Sequence, residues 1–381
     1  MNPTYEQRLA GERWFLHRGL PAVLRPGTLM RRVWTRSAPA LAGFAVVMAW
    51  SILIVALTGK HTIDIDGAPT RTEWFVLAAL VLVLPSAGFV GWLVSRTTDL
   101  RVRGAASAAS LAVVALAGVF GGPSAAISFD MIVNVAVITA IFLCTATGIG
   151  SILGWALQMT LDNLVSIGGM LSRALPVMLL TVLAFFNGPI WTMASTVSRG
   201  RLWLALLFLF LIAVAFLVSG LLGRVRPILD PGAKAEEDAQ KLVGTPFESM
   251  PDRPRRVPLS TAERANVVFV LALSQIAQVL TVAVATGMLF LLFGLLLISP
   301  AMLAALTDGG PADGQFLTMT LPIPQALMHV TMFLSALTFM YLAARAINDA
   351  EYRHQSVDPL IEDLRLTLVA RDRYRTATAA R

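Results

Sequence analysis

The chain has 381 residues, of which 56% are hydrophobic and only 14% charged, and its formal net charge is +7. Soluble domains ordinarily hold about 25% charged residues, so this composition excludes an ordinary globular enzyme of two or three domains. In so apolar a chain the basic residues set orientation in a membrane, and no nucleic-acid partner is expected.

Residues 1–37 form a basic arm. Seven arginines (Arg8, Arg13, Arg18, Arg25, Arg31, Arg32, Arg36) are interleaved with Trp14, Phe15, Leu16, Leu20 and Trp34. This mixture suits the lipid headgroup layer, where rings lie at the interface and arginine reaches phosphate. Pro21 and Pro26-Gly27 prevent a single continuous helix. The arginines also interrupt any signal-peptide core, so the first span is expected to act as an uncleaved insertion signal.

Eight apolar segments follow, at 38–58, 74–95, 104–121, 131–157, 175–197, 202–222, 266–298 and 324–346. A bilayer core about 30 Å thick needs about 20 residues of helix, so the expected fold is an all-α polytopic bundle of about eight transmembrane helices. Of the 30 basic residues, 26 fall in the arm, the tail and every second gap, and only Lys60, Arg71, Arg199 and Arg201 fall in the others. The positive-inside rule then places both termini in the cytoplasm.

Spans 1–6 occupy 38–222, and a loop rich in proline and charge, 223–265, separates them from spans 7–8 at 266–346. The loop reads as a flexible linker. Ser260-Thr261-Ala262-Glu263 has the form of a capping box, which predicts one long helix starting near Thr261. The outer gap 299–323 is expected to be a loop. In the tail, 347–381, Asp358-Pro359 resembles a helix start, and Leu360, Ile361, Leu364 and Leu368 recur at helical spacing. An amphipathic helix docking on the protein's own loops is expected there.

The interior of the spans holds no strong charge. Charged residues at membrane depth usually mark proton relays or ion paths, so a carrier using a buried carboxylate is not expected. Neutral candidates remain. In span 7, Gln275 and Gln278 accompany Ser274 and Thr281, and in span 8 His329 is the one ionisable group expected within the bilayer. In span 5, Pro189 breaks the helical pattern beside Asn187, leaving backbone groups for a neighbour or a ligand to satisfy. Gly150 and Gly154 form a G-x-x-x-G pair suited to close helix packing. Each has a structural reading beside the functional one: hydrogen bonding between helices for the glutamines and the histidine, and packing for the lone Cys144. No catalytic motif, metal site or cofactor motif is present in the sequence.

Arg18-Gly19-Leu20-Pro21 followed by Val33-Trp34-Thr35-Arg36-Ser37-Ala38-Pro39, and Arg173-Ala174-Leu175-Pro176 leading to Phe186-Asn187-Gly188-Pro189-Ile190-Trp191, together with the amphipathic tail, resemble an uncharacterised family of actinobacterial multi-pass integral membrane proteins. That 27 of the 30 basic residues are arginine fits a GC-rich bacterial genome. The family pattern often carries an acidic residue where Pro189 stands, so this chain lacks that carboxylate. The resemblance implies a bacterial cytoplasmic membrane and lipid contact, and no activity. Two functions fit these residues. One is a transport or permease-like component working through Asn187, Gln275, Gln278 and His329. The other is a membrane scaffold or assembly factor recruiting protein partners at its cytoplasmic face.

Overall fold

The computed structural model describes residues 5–24, 27–30, 32–61, 65, 69–121, 127–162, 187–229, 242–248, 250, 259–307, 314–316, 319–348 and 358–379. The chain is an all-α bundle in which seven helices among the described residues are long and apolar enough to cross a membrane. It divides into two compact units.

One unit comprises Pro26–Gly150 and Pro311–Gln325. Its long helices are α3 (Ala38–Thr58), α4 (Arg71–Arg96), α5 (Leu100–Phe120) and α6 (Ile127–Thr147), preceded by the short α2 (Val33–Arg36). Local chemistry sets their ends. Thr70 and Glu73 exchange hydrogen bonds as a capping box at the start of α4, and the Asp99 carboxylate accepts the Arg101 N–H at the start of α5. Gly59, at φ +65°, closes α3 in the left-handed conformation that glycine adopts at little cost.

Small residues let α3 and α4 approach. A methyl group added at Gly91 would lie 3.0 Å from the Pro39 carbonyl oxygen, and one at Gly43 would lie 3.2 Å from that of Ala87. Ala45 and Met48 of α3 pack on Val114 and Ala117 of α5. The small-residue face of α5 buries Ser107, Ser110, Val114, Ala117 and Gly118 as one stripe, with the opposite face outward. The outer gap is more structured than a loop, since strands β1 (Gly314–Phe316) and β2 (Met319–Leu321) pair antiparallel and Ile65 donates to Thr320 O at 3.0 Å.

The other unit comprises Met1–Arg25, Ser151–Gly310 and Ala326–Arg381. It holds α1 (Tyr5–His17), most of α7 (Ile149–Asp162), α8 (Gly188–Thr196), α9 (Arg199–Leu229), α10 (Thr261–Leu297), α11 (Pro300–Thr307), α12 (Gln325–Asn348) and the tail helix α13 (Asp358–Ala379). Ala213 and Leu217 of α9, Val279, Val282 and Ala283 of α10, and Phe339, Leu342 and Ala343 of α12 form its core. Gly287 of α10 faces Ser335 and Thr331 of α12 at close range. Higher numbers on α10 thus pair with lower numbers on α12, and the two helices run antiparallel.

Several boundaries differ from expectation. The fourth segment is two helices, because Gly148 adopts φ +84° and ends α6. Helix α9 continues past 222 to Leu229, whereas α10 runs unbroken from Thr261 to Leu297 behind its capping box, as the sequence predicts. The first part of the fifth segment, 175–186, lies outside the described residues.

Candidate functional site

Helix α10 carries most of the buried polar chemistry. Its first turn is held by Ser260, whose hydroxyl accepts the Glu263 N–H while the Glu263 carboxylate accepts the Ser260 N–H at 2.8 Å. Glu263 is 1% exposed. A carboxylate so enclosed needs a countercharge, and the tail supplies it. Arg371 of α13 donates through Nε to Glu263 Oε1 at 2.9 Å and through Nη2 to Oε2 at 2.8 Å, the parallel fork that suits a guanidinium and a carboxylate. Arg375, one turn on, reaches Oε1 at 2.9 Å, and Asp372 accepts from Arg371 Nη1 at 2.7 Å. Burial disfavours the Arg371 cation, but its bonds to Glu263 and Asp372 outweigh this and hold its pKa above the ordinary arginine value.

The N-terminal arm closes over this cluster. Trp14 and Phe15 of α1, Phe247, and Tyr374 of α13 pack as an aromatic group with neighbouring centroids 5.0 to 5.5 Å apart, and the Arg18 guanidinium lies 4.2 Å over the Trp14 ring. Arg18 also pairs with Asp363, Arg373 donates to Phe247 O at 3.2 Å, and Asn266 Nδ2 of α10 donates to Gly19 O at 3.2 Å. Leu242, Phe247 and Met250 are buried, so this stretch of the 223–265 loop is packed structure rather than linker. Arm, loop and tail form one layer on the base of the longest helix.

The expected intramembrane residues lie at separate levels. Gln275 and Gln278 are buried on α10 between the ion cluster and the core, beside Ser274, which is fully enclosed. His329 is buried near the other end of the α10–α12 contact. From the Gly287–Ser335/Thr331 pairing, it stands roughly 20 Å along the bundle from the glutamines at 1.5 Å per residue. Its Nδ1 lies 2.8 Å from Ala194 O. That carbonyl sits in the last turn of α8, where helical N–H donors run out, so the imidazole donates there and serves as a helix cap. Asn187 is exposed at the start of α8 with no side-chain cap bond, and Pro189 occupies the first helical turn, where its missing N–H has no helical bond to lose. A methyl group at Gly154 would meet nothing within 4 Å among the described residues, and at Gly150 the nearest atoms would be the Cys144 backbone and Thr145 N, at 3.5 to 3.8 Å.

Two features escaped the sequence reading. Glu263 reads as a capping residue, and its partner 108 residues away is invisible in a single sequence, although the Arg371/Arg375 spacing places both on one helix face. Asp130 is 2% exposed in the first turn of α6, below Asn134, whose Nδ2 donates weakly to Val114 O at 3.5 Å. The i, i+4 spacing of Asp130 and Asn134 was the available signal. Compared with known proteins, the chain matches no family model, no curated protein and no solved structure.

Proposed function

We propose that this integral membrane protein is a scaffold whose arm, loop segment and tail form a preassembled docking layer on the cytoplasmic face of a bacterial cell membrane. The observation that carries the reading is the bidentate Arg371–Glu263 pair, which ties the tail to the base of α10 without solvent access. A partner engaging the tail or arm thereby engages the longest membrane helix as well. The charge asymmetry of the sequence supports the cytoplasmic assignment, and the resemblance to actinobacterial membrane proteins supports the cell type.

The test is purification in mild detergent after in-cell cross-linking, with wild type compared to Glu263→Ala at equal membrane insertion. The scaffold reading expects a stoichiometric partner held by wild type and shed by the variant. A protein that comes away alone in both cases sinks it.

A transport component is the second reading, and a separate observation favours it. Ser274 Oγ, Gln278 Oε1 and Thr331 Oγ1 are buried with no hydrogen-bond partner among the described residues, and each such group costs about 1–3 kcal/mol unless water or a polar solute satisfies it. Single cysteines at 274 and 278 in a Cys144→Ala background, challenged with a water-soluble thiol reagent, test that reading. A stripe that stays unlabelled removes it.

A further inference from the structure

On the transport reading, we infer that Ser274 and Gln278 form a binding site for a small uncharged solute carrying hydrogen-bond donors, of the polyol or urea kind. The two side chains lie one turn apart near the middle of α10, with Ser274 fully enclosed and Gln278 5% exposed. Residues at i and i+4 share one helix face.

Four other hydroxyls of α10 and α12 turn back on their own backbone. Thr281 donates to Ala277 O, Thr286 to Val282 O, Ser335 to Thr331 O and Thr338 to Leu334 O, each at 2.8 Å. Ser274 makes no such bond, and neither its Oγ nor Gln278 Oε1 meets a partner among the described residues. In an apolar layer both atoms need one. Thr331 Oγ1, in the same condition, stands roughly 16 Å farther along the bundle by the pairing of Gly287 with Thr331 and Ser335, so it belongs to a different level.

The chemistry selects the class of solute. Gln278 Oε1 can only accept, so the ligand must present an N–H or O–H, which excludes a simple anion such as chloride. A cation at this depth would need a countercharge. Beyond Arg264, α10 has no Asp, Glu, Lys or Arg through Leu297. Ala213 and Leu217 of α9 and Phe339, Leu342 and Ala343 of α12, which pack beside Val279 and Val282, are apolar. The Glu263 carboxylate lies roughly 16 Å from Ser274 toward the helix start, and Arg371 and Arg375 already neutralise it. A hydroxyl one turn from a primary amide offers donors and acceptors together, which suits a neutral molecule bearing both.

The experiment places the full chain in phosphatidylcholine nanodiscs and measures saturation-transfer NMR from glycerol and urea, with sodium followed by its own NMR relaxation. Wild type should show transfer to at least one of the two neutral solutes and no sodium binding. Ser274→Ala should weaken the apparent affinity by roughly fivefold, and Ser274→Ala/Gln278→Leu by roughly tenfold or more. Thr281→Val, which removes a hydroxyl already bonded to its own helix, should change it little. Ser274→Ala carries the test if the double variant fails to fold. Transfer to neither solute overturns the inference, as does unchanged affinity in the folded variants or sodium binding that the same variants abolish. If cysteines at 274 and 278 label while neither solute binds, the solute class is wrong and the transport reading stands. If they stay unlabelled and neither solute binds, both fall.

Discussion

Glu263 and Arg371 illustrate how burial raises the cost of losing one partner. Removing either charge leaves the other enclosed with one remaining partner, Asp372 for Arg371 or Arg375 for Glu263. The cost therefore lies at or below the low end of the about 3–5 kcal/mol for an unpaired buried charge, and replacing both strands those remaining partners. Glu263→Ala is therefore expected to loosen the tail and Glu263→Leu/Arg371→Met to recover only part of the loss, because Asp372, Arg375 and the Ser260 N–H each lose a partner in the double variant, measured as thermal unfolding in detergent. Asp363 behaves differently. Burial raises its pKa more than Arg18 lowers it, so the docked state holds the carboxyl proton more tightly than the free chain does. Its contribution favours docking most below the unfolded pKa and is lost as pH rises through the folded one. Asp363→Asn should accordingly leave the tail docked, or dock it more firmly, at pH 7, and a loss of docking comparable to Glu263→Ala would contradict this. His329 caps a helix end, and His329→Leu should cost about 1–3 kcal/mol by orphaning the buried Ala194 carbonyl, read from the same melting curves. The sequence shows each of these residues but not its partner, because partners far apart in sequence are set by tertiary placement.

Helix ends and helix contacts were legible unequally. Ser260-x-x-Glu263 announced the start of α10, since a capping box is local chemistry. Gly148 did not announce the end of α6, because an apolar run continues on both sides and only the left-handed backbone breaks it. The G-x-x-x-G pair drew attention to Gly150 and Gly154, while the close approach in α4 occurs at Gly91, which meets Pro39 O, and Gly88 in the same helix faces open space. Spacing alone cannot say which small residue meets a neighbour. Gly91→Leu should thus destabilise the α3–α4 contact by about 1–3 kcal/mol through overpacking. Gly88→Ala and Gly154→Ala should shift the melting temperature little, and a large shift from Gly154→Ala would reveal a contact absent from the described residues.

At the scale of the molecule, hydropathy made the membrane bundle evident, because crossing a bilayer imposes length and composition on every span. The same constraint says nothing of what lies outside. The sequence sets the arm in the headgroup layer, docks the tail helix on the protein's own loops and makes 223–265 a linker. Their aromatic residues, Phe15, Phe247 and Tyr374, instead share one cluster on the base of α10. This layer is preassembled and held by the Arg371–Glu263 pair. Hydrogen exchange of the full chain in lipid nanodiscs tests it most directly. Amides of 364–377 are predicted to be strongly protected in wild type and to exchange rapidly in Glu263→Ala, with the spans unaffected. Rapid exchange of 364–377 in the wild-type protein would contradict the account.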